Sequence, residues 1–301
     1  MDPRQAEQLQ ALLKRGYACL SSGDLEGAGR CCREALQIRQ DLPPAHFLVG
    51  LVAQESKDRR TAFNAFQSVV KLDPEHGAAW AQLARLYMSE GQVNKADAAL
   101  RETLRIKPED PLVLDLIGTT LSLMGEYDTA RAFYTLANDK RPDHPPFMQN
   151  LANNLVYHGE TDAADAIFNR IIELQPDSPQ SHWSLASSTK ATDARHIERM
   201  QALLQRHARD PRGRAFYLYA IGKEYEDLQQ WPEAFAAFSA GAAARRETVE
   251  YDEPAEIEMF DYLQAHYTRE WLDALPKGNP DPSPIFVLGQ PRTGTTLVER
   301  I

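Results

Sequence analysis

The sequence is poor in cysteine, in basic charge and in long apolar runs. Its 301 residues include 3 cysteines and carry 33 Lys and Arg against 43 Asp and Glu, which is a formal net charge of −10. An odd number of cysteines without a paired framework is typical of a reducing compartment. An acidic chain lacks the clustered positive charge that binds nucleic acids and anionic membranes. We therefore expect neither a disulfide scaffold nor a nucleic-acid-binding protein.

The amino terminus also lacks the features of an exported chain. The first ten residues, MDPRQAEQLQ, contain no basic stretch followed by an apolar core, so no secretory signal is predicted. No uninterrupted apolar run approaches the roughly 20 residues that cross a bilayer. No histidine stands at metal-ligand spacing beside the cysteines, so we predict small core residues there and no metal site. These absences predict a cytoplasmic protein without membrane partners.

What the chain has in abundance is a 34-residue period, which prolines, alanines and glycines share. The proline register is Pro74, Pro108, Pro142 and Pro176, and the alanine register is Ala28, Ala62, Ala96, Ala130 and Ala164. The glycine register is Gly91, Gly125 and Gly159, with Gly23 two periods earlier, and a small-residue register runs through Gly16, Gly50, Ala84, Gly118, Ala152 and Ala186. Internal repeats of this length are typical of solenoid proteins.

Each register has a physical reason. Small residues let two helices approach closely, and a glycine supplies the left-handed residue that ends the first helix. A proline stands where one helix has ended and the next repeat opens. Between these marks apolar residues recur at intervals of three and four, for example Trp80, Leu83 and Tyr87. The pattern therefore predicts an all-α chain of helical hairpins.

The clearest copy, AAWAQLARLYMSEGQVNKADAALRETLRIKPED, resembles the tetratricopeptide repeat. It has that family's residues at the expected offsets, namely Trp80, Leu83, Ala84, Tyr87, Gly91, Ala96 and Pro108. Repeats are predicted to start near residues 9, 43, 77, 111, 145 and 179, and the sixth lacks the turn glycine. A seventh copy is predicted to begin near residue 215. The resemblance implies a superhelical array of about seven repeats over residues 1–248.

The first helix of each repeat is expected to line the inner face of this superhelix. Counting along those helices places nine residues near that face: Phe47, Leu51, Arg85, Met88, Asp115, Thr119, Gln149, Asn153 and Trp183. One repeat class grips a carboxylate with Lys and Asn, but those positions hold Leu13, Tyr17, Leu48 and Gln82. We predict instead that Arg85, Gln149, Asn153 and Trp183 bind a partner protein or peptide. The alternative is a spacer whose inner residues only pack.

Beyond the repeats the period is lost. Residues 249–283 are predicted to form a bridging helix with an acidic start, which suits the positive end of a helix dipole, and a proline-rich linker, PKGNPDPSP. A second domain begins at residue 284 with PIFVLGQPRTGTTLVERI. We predict a strand over Ile285 to Leu288, a tight turn between Gly289 and Gly294, and a helix that starts at Thr295. This order is typical of a phosphate-binding loop.

The loop departs from the nucleoside-triphosphate motif, because Thr295 stands where that motif has lysine, so a kinase or ATPase is not favoured. PRTGTTLVE closely resembles the phosphosulfate-binding loop of sulfotransferases instead. With the repeats before it, the chain resembles bacterial tetratricopeptide-repeat-containing sulfotransferases. The resemblance implies that an all-α repeat superhelix is followed by the first strand and P-loop-like turn of a truncated α/β sulfotransferase domain over residues 284–301.

The same resemblance implies a function. The donor would be 3'-phosphoadenosine 5'-phosphosulfate, with no metal, and its sulfuryl group would pass to an acceptor hydroxyl or amine. The implied donor-binding residues are Arg292, Thr293, Gly294, Thr295 and Thr296, and Arg292 would also be catalytic by stabilising charge on the bridging oxygen. The family's base and 3'-phosphate site lie beyond this loop, so we expect the 301-residue chain alone to be inactive. The alternative is a non-catalytic protein-interaction scaffold.

Overall fold

The computed structural model describes residues 2–276, 278–281, 283–290 and 293–299. The chain divides into two compact units, residues 1–248 and residues 249–301. The first unit consists of helices joined by short turns. Their bounds are α1 Pro3–Ser21, α2 Leu25–Ile38, α3 Pro43–Glu55, α4 Arg59–Leu72, α5 Gly77–Ser89, α6 Val93–Ile106, α7 Pro111–Leu123, α8 Tyr127–Lys140, α9 Pro145–Tyr157, α10 Thr161–Leu174, α11 Pro179–Ser188, α12 Arg195–Leu204, α13 Pro211–Asp227 and α14 Trp231–Arg246.

The helices pack as antiparallel hairpins, α1 on α2, α3 on α4 and so on along the array, and each hairpin also contacts the next. The predicted repeat starts at 43, 77, 111, 145 and 179 coincide with the first residues of α3, α5, α7, α9 and α11. The first helix begins earlier than predicted, at Pro3, because the Asp2 side chain accepts a hydrogen bond from Arg4 N and caps it. The seventh repeat also begins earlier, at Pro211 rather than near 215, since this proline opens α13.

The turn glycines have the backbone conformation that the sequence predicts. Gly23, Gly91, Gly125 and Gly159 have φ of 80, 69, 86 and 76°. The second repeat has Lys57 at the equivalent position, with φ of 60°. A residue with a side chain is strained in this left-handed region, so the turn geometry is imposed by the hairpin and not by glycine alone.

The small-residue register brings the two helices of a hairpin into close contact. A side chain at Gly50 would lie 2.5 Å from the Phe66 ring, and one at Gly118 would lie 2.7 Å from the Tyr134 ring. Alanines of the second helices, such as Ala96 and Ala130, are completely buried. The pairing of a small residue with a large one gives the array its close-packed apolar core.

The sixth repeat departs from the others. Helices α11 and α12 have 10 residues each, whereas α9 has 13 and α10 has 14. They make little contact with each other, and both pack against α13 instead. A longer loop, residues 189–194, stands in place of the glycine turn, and a short 3-10 helix, Gln205–His207, follows α12. Loss of the turn glycine therefore coincides with an opened hairpin.

The second unit contains α15 Glu253–His266, α16 Arg269–Asp273 and α17 Thr295–Glu299. The predicted bridging helix is thus two helices, because the Thr268 side chain accepts a hydrogen bond from Trp271 N and starts a new helix. The predicted strand over Ile285 to Leu288 does not form, and the described residues contain no β-strand anywhere. A lone extended segment has no neighbour to complete its backbone hydrogen bonds, which is the physical reason for this correction. None of the described helices is long and apolar enough to cross a bilayer.

Candidate functional site

The first helices of successive repeats are linked by polar side chains along one face, which we call the groove. Gln54 Nε2 donates to Gln82 Oε1 at 2.9 Å, from α3 to α5. Asn150 Nδ2 donates to the Asp115 carboxylate at 2.9 and 3.0 Å, from α9 to α7. Gln149 Nε2 donates to Ser184 Oγ at 3.0 Å, from α9 to α11. The groove is therefore one face of α3, α5, α7, α9 and α11, with polar links from α3 to α5 and from α7 through α9 to α11.

Arg85 lies on α5 within the groove and is half-buried. Its Nη2 donates to Gln82 Oε1 at 3.2 Å, whereas its Nε is buried and has no hydrogen-bond partner among the described residues. Burial lowers the pKa of Arg85, and the Glu55 carboxylate opposes that change. Because a guanidinium stays charged in proteins, Arg85 is a cation with a free donor.

Asp115 provides the opposite charge one repeat further along the groove. Burial raises the pKa of Asp115, and the hydrogen bond from Asn150 opposes that change. The sequence placed Asp115 on this face but did not identify Asn150 as its partner. The two residues are separated by 35 positions, one more than the repeat period, which is the signal that could have paired them.

Gln149 and Asn153 lie together on α9. Gln149 Nε2 donates to Asn153 Oδ1 at 3.0 Å, and Gln149 Oε1 accepts from Ser181 Oγ at 3.3 Å. Gln149 is thereby engaged on both sides. Asn153 is exposed, and its Nδ2 makes no hydrogen bond within the described ranges, so it can donate to a ligand.

Trp183 stands in a pocket of about 330 Å³ at the α11 end of the groove. The remaining lining residues are Arg212, Ala215, Phe216, Tyr219 and Arg245. The rings of Trp183 and Tyr219 are 6.1 Å apart with an interplanar angle of 61°. Arg212 is exposed, and Arg245 Nη1 donates to Thr248 Oγ1 at 3.0 Å. Aromatic walls with two cations suit an apolar side chain that has an acidic neighbour.

The sequence did not predict the other members of this pocket. Phe216 and Tyr219 belong to the seventh repeat, whose start was placed four residues too late. The 36-residue separation of Trp183 and Tyr219 is close to the 35-residue separations of the other groove partners. A search of the sequence for residue pairs separated by slightly more than the repeat period would therefore have paired Trp183 with Tyr219.

The predicted inner-face residues do not form one site. Phe47 and Leu51 pack against the apolar core, and the Phe47 ring lies 5.5 Å from the Phe66 ring. Thr119 Oγ1 donates to the Asp115 backbone oxygen at 3.0 Å, and Met88 is half-buried. The structure brings Gln149 and Asn153 together, while Arg85 lies two repeats away from them along the groove and Trp183 one repeat away.

The predicted phosphate loop lies in the second unit. Arg292 is outside the described residues. Gly294 has φ of 94°, and Thr293 Oγ1 donates to the Gln290 backbone oxygen at 2.7 Å. Thr295 and Thr296 form the first turn of α17. Donor binding by these residues stays a prediction. The described part of the chain holds no group of three or more His, Cys, Asp or Glu arranged for a metal ion.

Several solved structures share this fold. A human IFIT1 dimer with PPP-AAAA has a TM-score of 0.64 at 16 % identity, covering 87 % of this chain and 64 % of its own. Pseudomonas aeruginosa pilF has a TM-score of 0.54 at 17 % identity, covering 75 % of this chain and 98 % of its own. TTC0263, a thermophilic TPR protein in Thermus thermophilus, has a TM-score of 0.52 at 20 % identity, covering 60 % of this chain and 98 % of its own.

In sequence, an uncharacterized protein of Aquifex aeolicus (strain VF5) is 33 % identical over 113 residues. The match spans 37 % of this chain and only 15 % of that relative's length. The tetratricopeptide repeat family matches residues 9–42, 53–118 and 121–188, which together are more than half of the chain. The chain belongs to the tetratricopeptide repeat family.

Proposed function

We propose that this protein is an interaction scaffold whose groove holds an extended peptide segment of a partner protein. The observation that carries the proposal is the Trp183 pocket on α11, the helix to which the polar Gln149 and Asn153 pair is connected by the hydrogen bond from Gln149 to Ser184. A bound peptide needs an anchor for a side chain and donors for its backbone oxygens. The pocket supplies the first, and Asn153 Nδ2 supplies the second.

The charge of the Trp183 pocket indicates which partner segments it would bind. The chain has a net charge of −10, yet Arg212 and Arg245 both line the Trp183 pocket. A local cationic patch on an acidic protein attracts acidic segments and repels basic ones. The proposed partner segment therefore has an aromatic or long aliphatic side chain with Asp or Glu beside it.

The test compares proteins captured from a native extract by the wild type and by Trp183→Ala combined with Asn153→Ala. Trp231→Ala is the matched control, because Trp231 lies on α14 with 58 % of its surface exposed and outside the groove. Captured partners should be lost with the double variant and kept with the control. A peptide from a captured partner should then bind the wild type at least about tenfold more tightly than the double variant, which is about 1.4 kcal/mol. Recovery of the same partners by both proteins would leave the groove a spacer.

We also propose, as a second function, that residues 289–296 bind the phosphosulfate donor of a sulfotransferase. The sequence of the loop supports this proposal, as does the positive φ of Gly294, at which a side chain would be strained. Gly289 supports it too, since a side chain there would lie 2.6 Å from Thr293 Oγ1 and would open the turn. In this proposal Thr295 and Thr296 donate to the 5'-phosphate, and Arg292 balances the charge of the bridging oxygen.

Equilibrium dialysis with labelled 3'-phosphoadenosine 5'-phosphosulfate tests donor binding by the 301-residue chain. Retention of label should fall with Arg292→Ala and with Thr296→Val, and should be unchanged with Thr248→Val in the first unit. In a sulfuryl-transfer assay with a catalytically complete protein, Arg292→Ala should lower turnover by roughly 10²–10³-fold. Equal retention by all these variants would contradict the phosphosulfate proposal and leave the scaffold proposal intact.

A further inference from the structure

The opened hairpin of the sixth repeat leaves a cleft of about 640 Å³ on the first unit, away from the Trp183 pocket. In the preceding repeats the second helix packs against its own first helix, whereas α12 packs against α13. The space left between α10, α11 and α12 is lined by apolar residues, Ile172 and Leu185, and by the loop of residues 189–193. Its volume is within the range of roughly 300–1,000 Å³ that small-molecule sites occupy.

A chain of hydrogen-bonded side chains lies beside this cleft. His182 Nε2 donates to the Pro176 backbone oxygen at 3.1 Å, since a carbonyl oxygen can only accept. Burial lowers the pKa of His182 to about 4, so near neutral pH the ring is uncharged and its Nδ1 accepts from His196 Nε2 at 2.8 Å. His196 Nδ1 then faces Glu224 Oε1 at 2.5 Å. Both nitrogens of His196 are thus engaged, and the chain ends at Glu224.

The second carboxylate oxygen of Glu224 is the unusual feature. Glu224 is only 4 % exposed and lines the cleft, and its Oε2 has no hydrogen-bond partner in the described part of the chain. The proton of the His196–Glu224 pair lies on the contact between Nδ1 and Oε1. Oε2 is therefore an acceptor whichever residue holds that proton. A buried acceptor without a donor is costly, and a ligand hydroxyl would satisfy it.

The lining of the cleft carries excess positive charge. Lys190 and Arg199 line it and form no ion pair among the described residues, whereas Arg195 Nη2 is 2.7 Å from Asp193 Oδ2. The loop itself is held in place by α13. Asp227 Oδ2 accepts from Ala191 N at 2.8 Å, and Lys223 donates to the Thr189 backbone oxygen. Two cations without ion pairs among the described residues, Lys190 on this loop and Arg199 on α12, are suited to binding an anion.

We propose that this cleft binds a small hydroxylated organic anion, of the sugar-phosphate or hydroxy-acid class. A ligand hydroxyl donates to Glu224 Oε2, and the anionic group lies between Lys190 and Arg199. The carbon skeleton rests on Ile172 and Leu185. The two free cations favour this anion over an ammonium compound, which they would repel. The site is separate from the groove, so it goes beyond the scaffold proposal.

The test uses isothermal titration of the full chain with four probes. Glucose 6-phosphate and gluconate carry both a hydroxyl and an anion, glucose lacks the anion, and inorganic phosphate lacks the carbon-bound hydroxyl. At least one of the first two should bind at least tenfold more tightly than glucose and phosphate. Binding of only one of the two identifies phosphate or carboxylate as the anionic group. Equal binding of all four probes, or binding of neither hydroxylated anion, would overturn the proposal.

Variants of the full chain assign the binding to this cleft. Lys190→Gln combined with Arg199→Gln should weaken binding of the tighter probe at least tenfold, and Arg209→Gln, at an exposed residue outside both the cleft and the Trp183 pocket, should leave it unchanged. Glu224→Gln should abolish the preference over inorganic phosphate, because an amide donor can replace the free acceptor, while Glu226→Gln on the same helix should not. Helical circular dichroism reports whether Glu224→Gln folds. If it does not, the result with exposed Lys190 and Arg199 decides, since their loss opens no core. Unchanged binding by that double variant would place the ligand elsewhere.

Discussion

The regular repeats, α3 to α10, and the irregular end of the array, α11 to α14, use different interiors. The regular repeats share one apolar core that extends from Ala53 to Ile171. The irregular end has its own apolar cluster, Ala186 to Ala237, beside which the imidazole of His182 and the carboxylate of Glu224 are buried. The polar residues buried in the regular repeats carry only hydroxyl and amide groups, namely Thr103, Thr120 and Asn154. The Trp183 pocket and the cleft beside Glu224 are both at the irregular end.

The largest expected difference comes from removing a core ring of a regular repeat. Phe66 is completely buried against Gly50, so Phe66→Ala leaves a cavity. We expect a loss of about 3–5 kcal/mol in the free energy of unfolding, measured by urea titration of the helical circular dichroism. Phe235→Ala removes the same ring from α14, where 74 % of it is exposed, and should cost less than about 0.5 kcal/mol. Similar losses would show that the regular core is not close-packed.

The irregular end should instead make stability depend on pH. Burial lowers the pKa of His182 to about 4, below its unfolded value of about 6.5. As the pH falls, the unfolded chain therefore takes up the proton before the folded chain does. The contribution of neutral His182 to the free energy of unfolding is complete above about pH 6.5 and is lost as the pH falls toward 4. The loss is at most about 3 kcal/mol. Urea unfolding between pH 8 and pH 4 measures it.

His207 should make the free energy of unfolding decrease at alkaline pH as well. Burial alone would lower the pKa of His207, but its hydrogen bonds to Asp177 and Asp210 outweigh burial and raise it. Its contribution is complete below about pH 6.5 and is lost as the pH rises through the raised value. His182→Gln should reduce only the loss of stability at acid pH. His266→Gln, at an exposed position of α15, should change the loss at neither acid nor alkaline pH. An unaltered loss of stability at acid pH in His182→Gln would contradict this account.

A smaller effect is expected from added volume between regular helices. Ala130 is fully buried on α8, and Ala132 on the same helix is exposed. Ala130→Leu should cost about 1–3 kcal/mol because the larger side chain forces the hairpin apart. Ala132→Leu makes the same chemical change and should be nearly neutral in the same unfolding measurement. Equal costs would mean that the alanine register does not mark the hairpin contact.

One turn of the regular array is expected to gain stability. Lys57 has φ of 60°, where the other turns of the regular repeats have glycine. Lys57→Gly should remove the strain of a left-handed residue and increase stability by about 0.5–1 kcal/mol after the extra chain entropy of glycine. Gly91→Ala should have the opposite sign, which thermal unfolding of both variants would show. A loss in Lys57→Gly would mean that the lysine side chain stabilises this turn.

The smallest effect is expected from the carboxyl-terminal segment. None of the described residues in 278–281, 283–290 and 293–299 is buried, so the described part of this segment contributes no core side chain. Deletion of residues 277–301 should leave the melting temperature unchanged within about 2 °C, or less than about 1 kcal/mol. Collapse of the helical signal on deletion would show that the segment is integral to the fold.

The helices and their order were determined by the sequence alone, because the information is local. Turn glycines, opening prolines and apolar spacing act within one hairpin, so five predicted repeat starts coincide with observed helix starts. The prediction of a strand was wrong because a strand depends on residues that are not local to it. Ile285 to Leu288 have a strand composition, but a strand exists only when a neighbour completes its hydrogen bonds.

Only the tertiary structure decided which groove residues meet and where the cleft lies. Partners such as Asp115 and Asn150 are 35 residues apart, because stacking shifts each repeat slightly against the next. His196 and Glu224 come into contact because α12 packs on α13 instead of on α11. No periodic pattern in the sequence predicts this change of packing partner. Apolar periodicity indicates which side of a helix is buried, whereas a polar contact between two helices depends on their relative position after packing.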